Sequence, residues 1–244
     1  MIYPILALVG LALAAPVPAR AAASGLTPGP TPAQAPGSPR PKTGGAENAG
    51  GIARSEAAAR VADWIGSSQD NRSLPYIIID KRSAALFLFD ARGKLLGEAP
   101  VLIGVATGDE ATPGIGSKNL AEIGPAERTT PAGRFLARFG SAAGGQRVLW
   151  IDYATSVALH PIPPGTRKER RRERMLSPTA DDNRITFGCI NVPIAFYGRN
   201  VRPLFRKQGG IVYVLPDTRP LEDIFPRLRV QPFVNGASVG GNVR

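Results

Sequence analysis

The feature that most constrains the fold is a series of short apolar segments that begins at Tyr76. The chain there reads YIIIDKRSAALFLFDARGKLLGEAPVLIGV, which contains three β-like runs, Tyr76–Asp80, Ala85–Asp90 and Leu95–Val105. The first two are separated by polar residues, and Gly93 in DARGK is typical of a turn. We therefore expect the second and third runs to form a β-hairpin.

Further β-like segments follow along the chain, and helical patterns are few. The residues from position 193 onward, PIAFYGRNVRPLFRKQ, favour a helix interrupted near Gly198 and Pro203. Many short strands with few helices indicate a mainly β domain. The additional predicted strands lie in TTPAGRFLARFG (129–140), QRVLWIDY (146–153), SVALHPI (156–162) and GIVYVLPD (210–217).

The N-terminus indicates export. An apolar run from Ile5 to Ala15 is too short to span a bilayer comfortably but suits the core of a signal peptide, and Ala19-Arg20-Ala21 fits a cleavage site. The usual basic start is missing. We expect a signal peptide over residues 1–22 and a periplasmic or other extracytoplasmic location, with an uncleaved anchor as the alternative.

The segments that flank the predicted domain differ in composition. Residues 23–54 are rich in Pro, Gly and Ala and have almost no large apolar side chains, so we expect a disordered linker. Residues 55–73 contain Ala57, Val61 and Ile65 at a spacing of four, which predicts a short helix from near Ser55 to Gly66. Residues 218–244 are poorly periodic and are interpreted as a C-terminal tail.

The charge balance restricts the partners. A net charge of +11 favours an acidic partner, such as nucleic acid, anionic lipid or a polymer that carries carboxylates. Export argues against nucleic acid and leaves at most a peripheral contact with a membrane. The basic segment 167–174, RKERRRER, is either a solvated charged face or a lid that attracts carboxylates.

The chain has one cysteine, Cys189 in NRITFGCINVP, and one histidine, His160, 29 positions earlier. A lone cysteine in an exported chain cannot form an intramolecular disulfide, so it is an inert buried thiol, an intermolecular partner or a reactive group. A histidine can remove the thiol proton, and Gly188 permits a tight turn beside it. The helix predicted after Cys189 would aim backbone N–H groups at a thiolate. From the residues alone, a catalytic pair and two unrelated structural residues both remain open.

The stretch around Cys189 resembles the signature of the L,D-transpeptidase catalytic domain family. That signature is a His, a gap, Ser/Thr-His-Gly-Cys, an apolar residue and Asn or Arg; the matching positions here are Thr186, Gly188, Cys189, Ile190 and Asn191. TTPAGRF (129–135) resembles the TPxGxF stretch of these domains, and the hairpin after Tyr76 resembles their opening hairpin. The resemblance covers roughly residues 74–217, which we interpret as the catalytic domain.

The resemblance implies a mainly β sandwich or barrel with a few short helices, and an enzyme of cell-wall assembly. Such a domain acts on peptidoglycan stem peptides. Its Cys attacks the L–D peptide bond after the diamino acid of a tetrapeptide stem and releases D-Ala. The acyl group then passes to an amine in a 3→3 cross-link, to a lipoprotein or to water, and carbapenem-type inhibitors acylate the same Cys. The alternatives are an L,D-carboxypeptidase and a non-catalytic peptidoglycan-binding relative.

The resemblance also assigns roles to residues. Cys189 would be the nucleophile and His160 the general base, Gly188 and the Cys189 N–H would be oxyanion donors, and Thr186 and Asn191 would be supporting positions. Two positions depart from the family or are ambiguous. Phe187 replaces the second His of the family, which makes that wall of the site apolar. Arg184 pairs with Asp181 or Asp182, or holds a substrate carboxylate.

Other departures and exclusions complete the prediction. The gap of 29 residues is longer than the family commonly has, and Pro161 follows the base, although its carbonyl could still orient the imidazole. We expect no cofactor. We also expect no metal site, because the chain has one His, one Cys and no clustered carboxylates at ligand spacing.

Overall fold

The computed structural model describes residues 51–230. The predicted signal peptide, all but the end of the predicted linker, and residues 231–244 lie outside the described residues. The strands are β1 Tyr76–Asp80, β2 Ala85–Phe89, β3 Leu95–Pro100, β4 Ile103–Gly104, β5 Gly133–Ser141, β6 Arg147–Asp152, β7 Val157–Pro161, β8 Arg184–Thr186, β9 Ile190–Val192 and β10 Gly210–Val214. The helices are α1 Glu56–Ser68, α2 Arg171–Met175, α3 Ile194–Phe196, α4 Arg202–Phe205 and α5 Leu221–Ile224.

Eight of these strands form one sheet in the order β3-β2-β1-β10-β5-β6-β7-β9, and β4 pairs with β8. The β1–β10, β7–β9 and β4–β8 pairs are parallel, and the other neighbours are antiparallel. The predicted hairpin is the β2–β3 pair. The prediction of a mainly β fold with a few short helices is confirmed.

Strands β1, β2 and β10 are buried on both faces of the sheet. Along β1, Ile77 and Ile79 belong to one hydrophobic cluster, whereas Tyr76 and Ile78 belong to another. This division follows from the two-residue period of a strand, which sends successive side chains to opposite faces. Because both faces are covered, the strand reads as a continuous apolar run instead of an alternating one.

Helix α1 covers one face of the sheet. Its N-terminus is capped by Ser55, whose Oγ accepts a hydrogen bond from the Ala58 N–H at 3.1 Å. Val61, Trp64 and Ile65 are buried in the same cluster as Tyr76 and Ile78. The helix runs to Ser68, two residues beyond the predicted end, because Gly66 is tolerated within its last turn.

The chain after β10 also packs on this face. Phe225 and Leu228 are buried in the cluster that contains Trp64. Residues 218–230 are thus part of the packed domain, whereas the sequence was interpreted as a tail from position 218. The two apolar anchors three positions apart were too short a pattern to be recognised.

Two predicted elements are divided in the structure. The single strand expected over 95–105 is β3 and β4, which are separated after Pro100, a residue that has no N–H for the ladder. The helix expected after position 193 consists of α3, a π-helical turn at Tyr197–Val201 and α4. Among the described residues, no helix has both the length and the apolar character needed to cross a membrane.

Candidate active site

The sheet brings the only His and the only Cys to neighbouring strands. His160 lies on β7 directly opposite Asn191 on β9, and Cys189 immediately precedes β9. Cys189 is therefore two residues, roughly 6.5 Å of strand rise, from the position opposite His160. The parallel β7–β9 pairing thus juxtaposes two residues that are 29 positions apart in sequence.

The loop that carries Cys189 is closed by Thr186. Its hydroxyl donates to the Cys189 carbonyl at 2.6 Å and accepts from the Gly188 N–H at 3.1 Å. The Gly188 N–H therefore already has a partner, and of the two predicted oxyanion donors the Cys189 N–H is the one that remains a candidate. Thr186 thus acts on the backbone of the loop.

Gly188 is required by its conformation and by its surroundings. Its φ is +122°, and a Cβ added there would lie 2.7 Å from the carbonyl oxygen of Thr129. An L side chain would meet both backbone strain and a clash with a main-chain atom. The glycine next to Cys189 thus allows the loop to pack directly against the segment that begins with Thr129.

Thr130 fixes the same loop from the other side. Its buried hydroxyl donates to the Gly188 carbonyl at 2.8 Å and accepts from the Gly104 N–H at 2.9 Å. One side chain thereby connects β4, the chain before β5 and the cysteine loop. This gives a structural reason for the threonine in the TTPAGRF stretch.

The thiol of Cys189 is partly exposed and rests on a backbone carbonyl. Its Sγ donates to the Ser156 carbonyl oxygen at 3.7 Å. Burial raises the pKa of the Cys189 thiol, and a hydrogen bond from the Ala158 backbone opposes this only in part. The helix predicted from Pro193 begins at Ile194, and β9 lies between it and Cys189.

The imidazole of His160 is held at both nitrogens. Nδ1 lies 2.9 Å from the Pro161 carbonyl oxygen, which can only accept, so this nitrogen carries the proton. Nε2 lies 3.1 Å from Asn191 Nδ2. Burial lowers the pKa of His160, the hydrogen bond to Pro161 opposes this, and the positive charge of Arg171 lowers the pKa further. The resting imidazole is therefore a neutral group.

In the structure, each member of the predicted pair has a different hydrogen-bond partner. The thiol contacts Ser156, and the imidazole contacts Pro161 and Asn191; within residues 51–230 no hydrogen bond joins His160 to Cys189. Transfer of the thiol proton to Nε2 would require the Asn191 contact to be exchanged for one with Cys189. The structure thus places the imidazole on β7 and the thiol just before β9, without a hydrogen bond between them.

Phe187 forms an exposed aromatic wall beside the cysteine. Its side chain is 37% exposed, and the guanidinium carbon of Arg128 lies 3.8 Å from its ring centroid. This distance is that of a cation–π contact. Arg128 was not singled out from the sequence, because nothing in its local pattern indicates that the fold brings it to position 187.

Arg184 has a structural partner that the sequence did not indicate. It donates to Asp217 at 2.7 Å and to the Ala106 carbonyl at 3.3 Å, and its side chain is mostly buried. The prediction of pairing with Asp181 or Asp182 is wrong, because Asp217 lies across the fold and those two residues lie in the turn just before β8. A guanidinium held in this way is not presented to a substrate carboxylate.

Lys81 is a buried cation that contacts Thr130, the residue that holds the cysteine loop. Its Nζ lies 3.0 Å from Asp109, 3.2 Å from Asp217 and 2.9 Å from the Thr130 carbonyl oxygen. The lysine is buried within a fold whose sequence showed it only as part of a polar turn. The one feature of the sequence that could have indicated burial of Lys81 is its position between two strongly apolar runs.

The basic segment forms an ordered cap instead of a uniformly solvated face. Met175 is buried with Leu102 and Ile162, and Arg174 donates to the carbonyls of Asp182 and Arg184. The exposed cations of the segment are Arg167, Lys168, Arg170 and Arg172. One face of α2 is therefore anchored to the domain, and the other presents positive charge to solvent.

No metal centre is apparent in the described part of the chain, where no group of three or more His, Cys, Asp or Glu side chains could hold an ion. A cavity of about 460 Å³ lies beside the loop, lined by residues that include Thr107, Thr112, Thr129 and Arg219. Thr129 is the residue whose carbonyl abuts Gly188. Thr129 therefore both lines this cavity and contacts the cysteine loop.

Comparison with known proteins gave structural likenesses only. No protein-family model and no curated protein matches the chain. An L,D-transpeptidase from Xylanimonas cellulosilytica is 15% identical with a TM-score of 0.36, covering 58% of this chain and 60% of that one. The catalytic domain of an E. faecium L,D-transpeptidase is 19% identical with a TM-score of 0.33, covering 58% and 96%.

The helical cell shape determining protein Pgp2 from Campylobacter jejuni is 14% identical with a TM-score of 0.38, covering 65% of this chain and 56% of that one. The chain thus spans about 60% of the length of the Xylanimonas structure. Because these TM-scores are low, what the protein does has to be argued from the residues of the site.

Proposed function

We propose that the chain is an extracytoplasmic cysteine acyltransferase, a peptidoglycan L,D-transpeptidase. The observation that carries this proposal is the position of the only Cys, at the start of the strand that pairs with the strand of the only His. His160 has the tautomer that a base needs, since Nδ1 is the nitrogen bonded to Pro161 and Nε2 bears the lone pair. The match of Thr186, Gly188 and Asn191 to the family signature supports the same assignment.

The proposed reaction has two acyl-transfer steps. His160 Nε2 takes the thiol proton, and the Cys189 sulfur attacks the carbonyl carbon of the diamino acid in a tetrapeptide stem. The peptide bond to D-Ala breaks, the imidazolium protonates the departing amine, and a thioester remains. An acceptor amine then attacks the thioester, its proton passes to His160, and the thiol is regenerated with a 3→3 cross-link formed.

The charge of the site fits an anionic substrate. Arg128 stacks on Phe187 beside the thiol, and the basic segment 167–174 presents further cations to solvent. Stem peptides end in carboxylates, which such groups attract in a salt-dependent way. Water as the acceptor would make the protein an L,D-carboxypeptidase, and a lipoprotein amine would make it an anchoring enzyme.

Muropeptide analysis tests this function most directly. Purified protein is incubated with peptidoglycan rich in tetrapeptide stems, and the digested products are separated by chromatography and mass. Tetra–tri or tri–tri cross-links that form with wild type and not with Cys189→Ala identify a transpeptidase. Free tripeptide alone identifies the carboxypeptidase, and unchanged profiles reject both.

Intact-mass measurement with a carbapenem isolates the first acylation. We expect wild type to gain the mass of one inhibitor, Cys189→Ala to gain none, and His160→Ala to react far more slowly. Lys94→Ala, an exposed change in the β2–β3 turn that likewise removes one positive charge, is the matched control and should react as wild type does. A wild-type protein that stays unmodified would count against a nucleophilic Cys189.

A non-catalytic peptidoglycan-binding protein is the second candidate. It is favoured by the separate partners of the two groups, Ser156 for the thiol and Asn191 for the imidazole, and by Phe187 where the family has His. Such a protein would sediment with purified sacculi through its cationic surface but would leave muropeptides unchanged. Loss of sedimentation at high salt together with an inert thiol would support this candidate over the enzyme.

We further propose that the protein works in the periplasm or an equivalent extracytoplasmic space. The support is the apolar run and the cleavage-like sequence within residues 1–22. Cell fractionation and N-terminal sequencing of the mature chain test this directly. A protein recovered from the cytosol with Met1 intact would contradict it.

A further inference from the structure

Asn191 lies between the imidazole of His160 and the guanidinium of Arg171. Arg171 Nη1 is 2.9 Å from Asn191 Oδ1, and Asn191 Nδ2 is 3.1 Å from His160 Nε2. The asparagine is only 1% exposed. A side chain of the basic segment is thus connected to the candidate base through one buried amide.

The donors and acceptors of this chain of contacts allow only one arrangement. A guanidinium can only donate, so the amide of Asn191 must turn its oxygen toward Arg171 and its NH₂ toward His160. Nε2 must then accept, which places the ring proton on Nδ1, where the Pro161 carbonyl receives it. Protonation at Nε2 would set two donors against each other and would break the contact.

Arg171 is itself firmly held. Its guanidinium donates to both carboxylate oxygens of Glu169, at 3.1 and 3.2 Å, and its side chain is 12% exposed. Met175, one turn further along α2, anchors the helix in a buried cluster. These contacts hold the guanidinium in place relative to β9, although the arginine side chain is long and flexible.

The charged and titratable groups around the ring come from two elements. The segment of α2 contributes Arg171 with its partner Glu169, and the chain entering β9 contributes Cys189; β7 contributes the neutral Pro161 carbonyl. Burial lowers the pKa of His160, and the charge of Arg171 acts in the same direction. The electrostatic effect and the hydrogen-bond pattern therefore both favour a neutral ring.

We propose that Arg171 is a positioning residue that acts through Asn191 to hold His160 as the Nδ1–H tautomer and to keep Nε2 on the Asn191 amide until the site is engaged. In this arrangement the base is ready in its protonation state but is directed away from Cys189. A role of this arrangement in catalysis rests on the function proposed above, whereas the contacts themselves are present in the protein without substrate.

The single histidine makes the test specific, because His160 gives the only imidazole signals of the chain in NMR spectra. We expect ¹⁵N shifts of the wild type to report the Nδ1–H tautomer. In Arg171→Ala the pKa of His160 should rise, because the positive charge that lowers it is removed, and the Nε2–H tautomer should become populated. Arg171→Lys, which retains charge and donor, should restore wild-type behaviour, and Arg172→Ala should not differ from wild type.

Arg171→Gln separates the two effects and serves as the second variant if Arg171→Ala does not fold. Its amide can still donate to Asn191 Oδ1 without a charge, so we expect the tautomer to be kept and the pKa to rise. Identical pKa and tautomer in wild type, Arg171→Ala and Arg171→Gln would overturn the inference. Because the titration needs no substrate, an altered His160 without any turnover would reject the enzyme function alone, and turnover with an unaltered His160 would reject only this inference.

Discussion

Lys81 Nζ and Asp109 Oδ1 form an ion pair, 3.0 Å apart, whose side chains are both almost completely buried. The same ammonium donates to the carbonyl of Thr130, the residue whose hydroxyl holds Gly188. The ion pair therefore contacts Thr130 directly, and Thr130 in turn holds the cysteine loop. A charge pair at this depth must be kept complete, because a single buried charge left without its partner is costly.

Removing the ammonium should destabilise the protein strongly. Lys81→Met leaves the carboxylates of Asp109 and Asp217 buried next to each other, and we expect a loss of about 3–5 kcal/mol in the free energy of unfolding. Urea denaturation measures this. Lys94→Met, at an exposed position of the β2–β3 turn, is the control and should change the stability little. Equal stability of the two variants would contradict the role given to Lys81.

Acid should remove part of this stability. Burial alone would raise the pKa of Asp109, but hydrogen bonds from the N–H groups of Asp217 and Arg219 and from Thr218 outweigh it, so the pKa lies well below its usual value. A carboxyl group with a lower pKa in the folded state stabilises the fold above the unfolded pKa of about 4. That contribution is lost as the pH falls toward the folded pKa.

Asp109→Asn isolates this contribution in urea denaturation at several pH values. We expect the variant to be clearly less stable than wild type near neutral pH, and the difference to shrink below about pH 4, where Asp109 of the unfolded wild type takes up its proton before that of the folded state does. A difference that stays constant down to pH 2 would show that the charge of Asp109 is not the origin of the effect.

The Thr130 hydroxyl should matter more than its methyl group. Thr130→Val has nearly the same shape but leaves the Gly104 N–H and the Gly188 carbonyl without this partner. We expect a loss of about 1–3 kcal/mol and a cysteine loop that is more readily cleaved by protease. Thr130→Ser should recover most of the loss, and Thr107→Val, at an exposed position, should be neutral.

Much of the sheet could be predicted from sequence because its signals are local. The apolar runs of β1, β2 and β10 and the turn at Gly93 each identify an element without reference to the rest of the chain. Cys189 and His160 stood out for a different reason, since each is the only residue of its kind. Rarity and a motif together were enough to select the candidate site.

The contacts that organise the site could not be predicted, because they join residues distant in sequence. Arg184 meets Asp217, Arg128 meets Phe187 and Arg171 meets Asn191 only after the strands are in register. The hydrogen bond of the thiol to Ser156 depends in the same way on the turn between β6 and β7. The register between distant strands is a property of the packed sheet and cannot be read from a short stretch of sequence.

The glycine before the cysteine should not tolerate a methyl group. In Gly188→Ala the new Cβ would lie 2.7 Å from a backbone oxygen at a φ of +122°, so the loop must move. We expect lower stability and an altered rate of Cys189 alkylation. Gly198→Ala is a matched control, because a Cβ there has no neighbour within 4 Å. Its helical position predicts no loss, and a small gain of stability would agree with the helix propensity of alanine.

The pH dependence of alkylation should show which resting state Cys189 occupies. Burial raises the pKa of the thiol and lowers that of His160, so the neutral pair is favoured over a thiolate–imidazolium pair. We expect alkylation by iodoacetamide to be slow at neutral pH. The midpoint of the increase in rate with pH should lie at a higher pH than it does for a free cysteine. The single cysteine makes the adduct unambiguous by mass. A midpoint below neutrality that moves upward in His160→Ala would instead demonstrate a preformed ion pair, and the disengaged resting arrangement would have to be abandoned.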